Sequence, residues 1–416
     1  MDVYASKEKN RSYLGLIIVV AILLVFGLLM IYSASSSLAY VYRDGDVFYY
    51  FKRQAVWIIV GSLVGYYFFR IKYEGLRTLG YFITIASVVL IIYTIPKALF
   101  NIDMPFVNTL NGATRWIDLV LFDLQPSELF KFGIIIFTGA WLTMSSSTQK
   151  RIEQFLKNYR DREYTYKLLN FIYLLFPVVV VVFGSMLILL QKDFDTIVII
   201  FVGFIAAYYV GVDKKYQKTA IVVVTLLGLF ASIFALVGVE YRRARVESFV
   251  QILIEGEPSA DAKADESFQV WNGLVGIGSG GIFGLGYGES RQKLFFLQEA
   301  AYTDSIFAIV GEEFGLVGSI SVLVMFMVFI SQGYGIAKNT NSKFDNIIAT
   351  GLTTGIASQA FLNIAANLAV IPFGGITLPF ISYGGSSTVI SLVSVAILVK
   401  ISQGGEKATI KIQRFR

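Results

Sequence analysis

The chain has 416 residues, 56% hydrophobic and 15% charged, with a formal net charge of +6 and a mean hydropathy of +0.66. It contains no cysteine and no histidine. Disulfides, thiolate nucleophiles and thiolate or imidazole metal sites are therefore excluded, and any general base must be a carboxylate, Lys or Tyr.

Apolar runs near the roughly 18 to 20 residues that span a bilayer recur along the chain and predict an integral membrane protein. They are too long and continuous for the alternation of a membrane barrel, so the spans are helices whose backbone groups are satisfied internally. Ten are predicted, at 14–37, 54–69, 78–96, 126–144, 168–190, 196–212, 219–239, 304–331, 347–371 and 386–402. The first follows a short polar stretch, lacks a small-residue cleavage site and exceeds a signal-peptide core, so it is expected to be retained. The expected fold is an all-α polytopic membrane protein of about ten transmembrane helices, residues 1–416 forming a single domain. A large structured extracytoplasmic loop (240–303) joins helices 7 and 8, and 145–167 is a cytoplasmic loop.

Orientation follows from the positive charges between spans. With the N-terminus inside, inner segments hold 22 Lys and Arg and outer segments 12, Lys131 within a span completing the 35. Half of the outer charge sits in the one long loop, where the rule is weak. Both termini are predicted to be cytoplasmic, and the net charge reads as an inner-leaflet effect that gives no reason to invoke nucleic acid.

Residues 97–125, 240–303 and 372–385 are longer outer connections than a plain bundle needs, and long structured connections usually carry function. The fourth span opens Gln125, Pro126, Ser127, Glu128, then Lys131. Proline suits a first helical turn and Glu128 its positive dipole end. Glu128 and Lys131 share a face, either as a packing ion pair or as a functional pair, since ionisable groups in a membrane are costly. Between spans five and six, QKDFDT brings Asp193 and Asp195 together, to bind a cation or, for Asp195 and Thr196, to cap the sixth helix. Arg242, Arg243 and Arg245 open the long loop. They are either solvated or a diphosphate-binding run, outer arginines being unusual under the orientation rule.

GIGSGGIFGLGYG follows; it lacks the Lys-Ser/Thr ending of a nucleotide-binding loop and follows no strand, so a soluble-type nucleotide site is not expected. Its glycines serve loop geometry, close packing or phosphate contact. Arg291 and Lys293 come next, then Glu299, Asp304, Glu312 and Glu313. Asp304, flanked by Thr303 and Ser305, is either an N-cap of the eighth span or a partly desolvated carboxylate base at the outer bilayer surface. Glu312 and Glu313, two to three turns deeper, form a supporting pair or bond neighbouring helices.

These residues carry a resemblance. The chain resembles the SEDS family (shape, elongation, division and sporulation), the bacterial cell-wall synthesis proteins that include FtsW, RodA and SpoVE. The similarity runs from about Leu23 to Ile401. It rests on LLMIYSASS, NGATRWI with LQPSELFK, QKDFDT, YRRARV, GIGSGGIFGLGYGESRQKLFFLQEAAYTDSIFAIVGEEFGLVG and LPFISYGGSS. YRRAR, SRQKLFFL and the closing GGSS are most like the FtsW cell-division branch. Against the family pattern, Gln298 replaces a proline and AAY adds one residue before Thr303; Lys192 and Asp195 stand where proline and glycine are usual.

The resemblance implies a peptidoglycan glycosyltransferase that polymerises lipid II at the outer face of the cytoplasmic membrane, with undecaprenyl diphosphate as leaving group. It places the catalytic carboxylate at Asp304, first-loop substrate contacts at Arg115 and Trp116, and a supporting set at Glu128, Lys131, Asp193 and Glu312. Arg243, Arg291, Lys293 or a divalent cation (Mg or Mn) would neutralise the leaving diphosphate. Implied partners are a class B penicillin-binding protein and other divisome proteins, at the division septum. Two other readings fit the same helices: a lipid II flippase, and a noncatalytic scaffold for the class B enzyme.

Overall fold

The computed structural model describes residues 2–110, 113–119, 123–144, 162–214, 217, 250, 254, 266–372 and 374–404. The helices are α1 (Asp2–Tyr42), α2 (Tyr49–Arg70), α3 (Tyr73–Phe100), α4 (Pro126–Leu142), α5 (Arg162–Leu190) and α6 (Phe194–Gly211). Then come α7 (Glu266–Gly280), α8 (Gln292–Phe295), a 3₁₀ turn (Gln298–Tyr302), α9 (Ile306–Asn339), α10 (Lys343–Asn367) and α11 (Gly385–Ser402). Every predicted span falls on a described helix except 219–239, which lies outside the described residues, as does Arg243. Seven of these helices are long and apolar enough to cross a membrane. The chain is thus an all-α polytopic membrane protein, with one small sheet that the sequence reading did not contain.

The chain divides into two compact units. The first comprises residues 1–70, 232–336 and 356–403. In it, Gly61 and Gly65 of α2 let α11 approach closely: a Cβ on Gly61 would lie 2.8 Å from Leu392 Cδ1. Small residues serve helix association in lipid in this way, because close approach maximises dispersion where no hydrophobic force acts. α7 runs alongside the first half of α9, with Gly273 against Ala308 and Gly276 against Glu312. The chain then turns and returns to the start of α9.

That turn meets a break in α9. Gly315 has φ 65 and ψ −157, nine residues into the helix, or about 14 Å along it, roughly half the thickness of a bilayer core. A break at such depth frees backbone groups that lipid cannot satisfy. The turn supplies the partners: Leu285 N–H donates to Glu312 C=O (2.9 Å) and Gly286 N–H to Glu313 C=O (3.1 Å). Reciprocally, Leu316 N–H donates to Gly281 C=O (2.9 Å) and Val317 N–H to Ile282 C=O (3.1 Å). The described part of the 240–303 segment therefore descends beside α9 and climbs back.

The second unit comprises residues 71–231, 337–355 and 404–416. Its centre is α4, buried at 15 of its 17 residues. Pro177 interrupts α5; lacking an N–H, it leaves the Tyr173 carbonyl without its helical donor. Trp141 Nε1–H of α4 donates to that carbonyl at 2.8 Å, and the Tyr208 hydroxyl of α6 takes the next one, Leu174 C=O, at 2.6 Å. Residues 97–125 carry a three-stranded antiparallel sheet of β1 (Val107–Leu110), β2 (Ala113–Asp118) and β3 (Asp123–Leu124), in that order. Asn108 pairs with Trp116 and Ile117 with Leu124.

Candidate functional site

Asp304 lies two residues before the first helical residue of α9, so the N-cap position belongs to Ser305, whose carbonyl accepts from Ala308 N–H (3.0 Å). As an N-cap, Asp304 would lend its own carbonyl to the helix. That carbonyl instead accepts from the side-chain amides of Asn363 (2.7 Å) and Asn367 (2.9 Å) of α10. The Asp304 side chain is half-buried, and its Oδ1 accepts from the Thr303 hydroxyl at 3.0 Å. The two preceding carbonyls are held as well. Thr303 C=O accepts from the Ser382 hydroxyl, and Tyr302 C=O from Tyr383 N–H (2.9 Å).

Before Thr303 the chain forms the 3₁₀ turn, where Gln298 adopts φ 42 and Ala300 C=O accepts from both Thr303 N–H and Ser305 N–H. Tyr302 is buried against Tyr50 (ring centroids 4.5 Å) and Tyr383 (5.7 Å). Desolvation, reinforced by its bond to Tyr50, pushes the Tyr302 hydroxyl far above the ordinary phenol range. It stays neutral and anchors the turn.

Below Asp304 sits a buried polar network. Glu312 accepts from the Ser290 hydroxyl (2.5 Å), Arg291 N–H (2.9 Å) and Gln292 N–H (3.4 Å), so one carboxylate gathers the start of α8. Glu313 pairs with Lys293 at 2.8 Å and accepts from the Ser33 hydroxyl of α1 at 2.6 and 2.8 Å. Lys293 Nζ also donates to Ser33 Oγ (3.0 Å) and Gly288 C=O (2.8 Å). Its side chain is only 4% exposed. Lys293 was expected to meet a diphosphate, but it points inward and all its donors are occupied. The reason is that Glu313, buried by α9, needs a counter-charge. Arg291, by contrast, is tied through its backbone and leaves its side chain exposed.

In the second unit, Asp193 is buried and accepts from Gln125 Nε2 (3.0 Å) and Ser127 Oγ (3.1 Å), with Arg115 at 3.2 Å. It occupies the N-cap position of α6, where Asp195 and Thr196 were expected to cap, yet makes no side-chain capping bond. Its three partners stitch the sheet and the start of α4 to the α5–α6 junction. Glu128 and Lys131 form a buried ion pair at 2.8 Å, one turn into α4. Trp116 is half-buried on β2.

The structure thus joins Asp304, Glu312, Lys293 and Arg291 along one stretch of the first unit, and Arg115, Asp193, Glu128 and Lys131 in the second. Ser33, Ser382 and Tyr383 were present in the quoted motifs without a role. Asn363 and Asn367 were missed, although two amides four apart in an apolar helix are themselves a signal. Among the described residues, no group of three or more His, Cys, Asp or Glu side chains could hold a metal ion.

The chain matches, over residues 14–407, the family described as cell cycle protein, FtsW/RodA/SpoVE. Stage V sporulation protein E of Bacillus subtilis is 31% identical over 398 residues, covering 95% of this chain and 98% of its own length. A probable peptidoglycan glycosyltransferase FtsW of Geobacter metallireducens is 32% identical over 399 residues, covering 95% and 96%. Among solved structures, a chain from work on structural coordination of polymerization and crosslinking by a peptidoglycan synthase complex aligns with TM-score 0.64 at 20% identity, covering 94% of this chain and 97% of that one. RodA of Thermus thermophilus aligns with TM-score 0.56 at 20% identity, covering 94% and 96%. With nearly its whole length matched, this chain belongs to the FtsW/RodA/SpoVE family of cell cycle proteins.

Proposed function

We propose that the chain is a peptidoglycan glycosyltransferase that polymerises lipid II at the outer face of the cytoplasmic membrane, with both termini inside. The observation that carries this reading is Asp304: a half-exposed carboxylate at the head of α9 on an immobilised backbone, in a chain without histidine. The acceptor hydroxyl attacks the anomeric carbon of the donor sugar while Asp304 takes its proton. The bond from that carbon to the diphosphate oxygen breaks, and undecaprenyl diphosphate leaves with the electron pair. Arg291, whose side chain is exposed at the start of α8, meets the developing charge, and the family resemblance assigns the same role to Arg243 and substrate contacts to Arg115 and Trp116 of the first outer segment. Lys293 moves from that list to a supporting role beside Glu312, Glu128, Lys131 and Asp193. Residues 1–416 act as one transmembrane domain, with a class B penicillin-binding protein and other divisome proteins as partners at the septum. The FtsW-like motifs and the FtsW-named relatives support the division branch.

Purified protein with its class B partner is assayed for glycan formation from lipid II. Asp304→Ala and Asp304→Asn are expected to remove polymerisation, by at least ~100-fold, while the protein stays folded. Wild-type rates in a folded Asp304→Ala protein would refute the assignment. Lipid II translocation without polymer would identify a flippase. Activity of the partner dependent on the chain but not on Asp304 would identify a scaffold.

A further inference from the structure

We infer that Asn363 and Asn367 are positioning residues that aim the Asp304 carboxylate, an inference that rests on Asp304 being the base proposed above. Each amide has two N–H donors and both are in use. Asn363 donates to Asp304 C=O (2.7 Å) and Ile376 C=O (2.6 Å); Asn367 donates to Asp304 C=O (2.9 Å) and to the Asn363 backbone C=O (2.9 Å). Two donors thereby saturate both lone pairs of one carbonyl and tie it to α10 and to the 374–384 segment.

The orientation of the Asn363 amide is set by chemistry: flipping it would face its oxygen toward two carbonyl oxygens. In the orientation that holds Asp304, the Asn363 Oδ1 is buried with no partner among the described residues. Buried polar atoms are nearly always satisfied, so an orphaned acceptor marks a side chain retained for the placement of its donors rather than for stability. The same peptide run is held at Tyr302 and Thr303 by Tyr383 and Ser382. Three successive peptide planes are fixed, and with them the direction of the Asp304 Cα–Cβ bond. An in-line displacement at a sugar needs the base within hydrogen-bond reach of the attacking hydroxyl, and a misplacement of about 1 Å costs on the order of 100-fold in rate.

The test compares Asn363→Leu, Asn367→Leu and the double variant, which keep volume and remove donors, with Asn367→Gln, which keeps them. Steady-state lipid II polymerisation is measured with the class B partner present, alongside Asp304→Ala and thermal unfolding. The double variant is expected to lose about 100-fold in kcat with KM for lipid II within about twofold, and Asn367→Gln to recover to within about fivefold of wild type. A folded double variant within about threefold of wild-type kcat overturns the inference, as does a loss confined to KM. Should the double variant not fold, the single variants decide: each must lose at least about fivefold in kcat, and two unaffected singles overturn it. If Asp304→Ala itself retains activity, the assignment of the base fails first, and the two failures are told apart.

Discussion

Replacing Lys293 by methionine separates a structural lysine from a substrate-binding one. The Lys293 and Glu313 side chains are 4% and 0% exposed, and Nζ lies 2.8 Å from Oε1. Methionine keeps most of the lysine's volume, so little cavity term is expected. What changes is that Glu313 is left buried, with the Ser33 hydroxyl at 2.6 Å and Ser290 N–H at 3.4 Å as its remaining donors. Breaking a buried pair by removing one partner costs about 3–5 kcal/mol, because the other charge stays desolvated and unpaired. Ser33 offsets part of this, which places the expected loss near ~3 kcal/mol. Removing both charges with Lys293→Met and Glu313→Gln together should cost less than about 2 kcal/mol, leaving a coupling of at least ~1 kcal/mol in the double-mutant cycle. Reversible unfolding in mixed micelles measures the cycle, and lipid II titration gives KM for each variant. A Lys293→Met protein within ~1 kcal/mol of wild type whose KM rises tenfold or more would refute the reasoning and return Lys293 to the substrate.

Two further perturbations test how the units are built. A Cβ on Gly284 would lie 2.1 Å from Glu313 O, at φ 82, whereas Gly288, at φ 87, faces open space. Gly284→Ala is therefore expected to cost at least ~3 kcal/mol in unfolding measurements, and Gly288→Ala only the left-handed strain of about 1–2 kcal/mol; equal losses would show that the turn does not depend on its contact with the α9 break. Trp141→Phe removes the donor to the carbonyl freed by Pro177 and should cost about 1–3 kcal/mol. In a Pro177→Ala background, where the helix regains its own donor, that loss should fall below ~1 kcal/mol; an unchanged loss would assign the effect to ring packing against Phe176 and Tyr173 instead.

Apolar runs alone located every described helix except α7 and α8, because a span must satisfy its backbone internally and bury itself in hydrocarbon whatever its neighbours are. The absence of histidine and cysteine likewise confined acid–base chemistry to a few side chains before any coordinates. Local spacing also paired Glu128 with Lys131, since three residues along a helix is one face. The small sheet was legible in principle: Asn111-Gly112 stands between VNTL and ATRWID, a strong hairpin signal. Partners distant in sequence were not legible. Lys293 looked like a surface cation because its counter-charge lies 20 residues on and its second partner, Ser33, 260 residues back. Asp193 looked like one of two junction acids until β2 and the start of α4 met it. In a chain with 37 glycines nothing local distinguished Gly315 as the break in α9, which exists because the 281–286 turn satisfies the groups it frees. The sequence by itself determined the solvent this protein folds in and the side chains available for chemistry. Tertiary structure alone decided which carbonyls and charges face one another around Asp304, because those contacts join segments that no local periodicity connects.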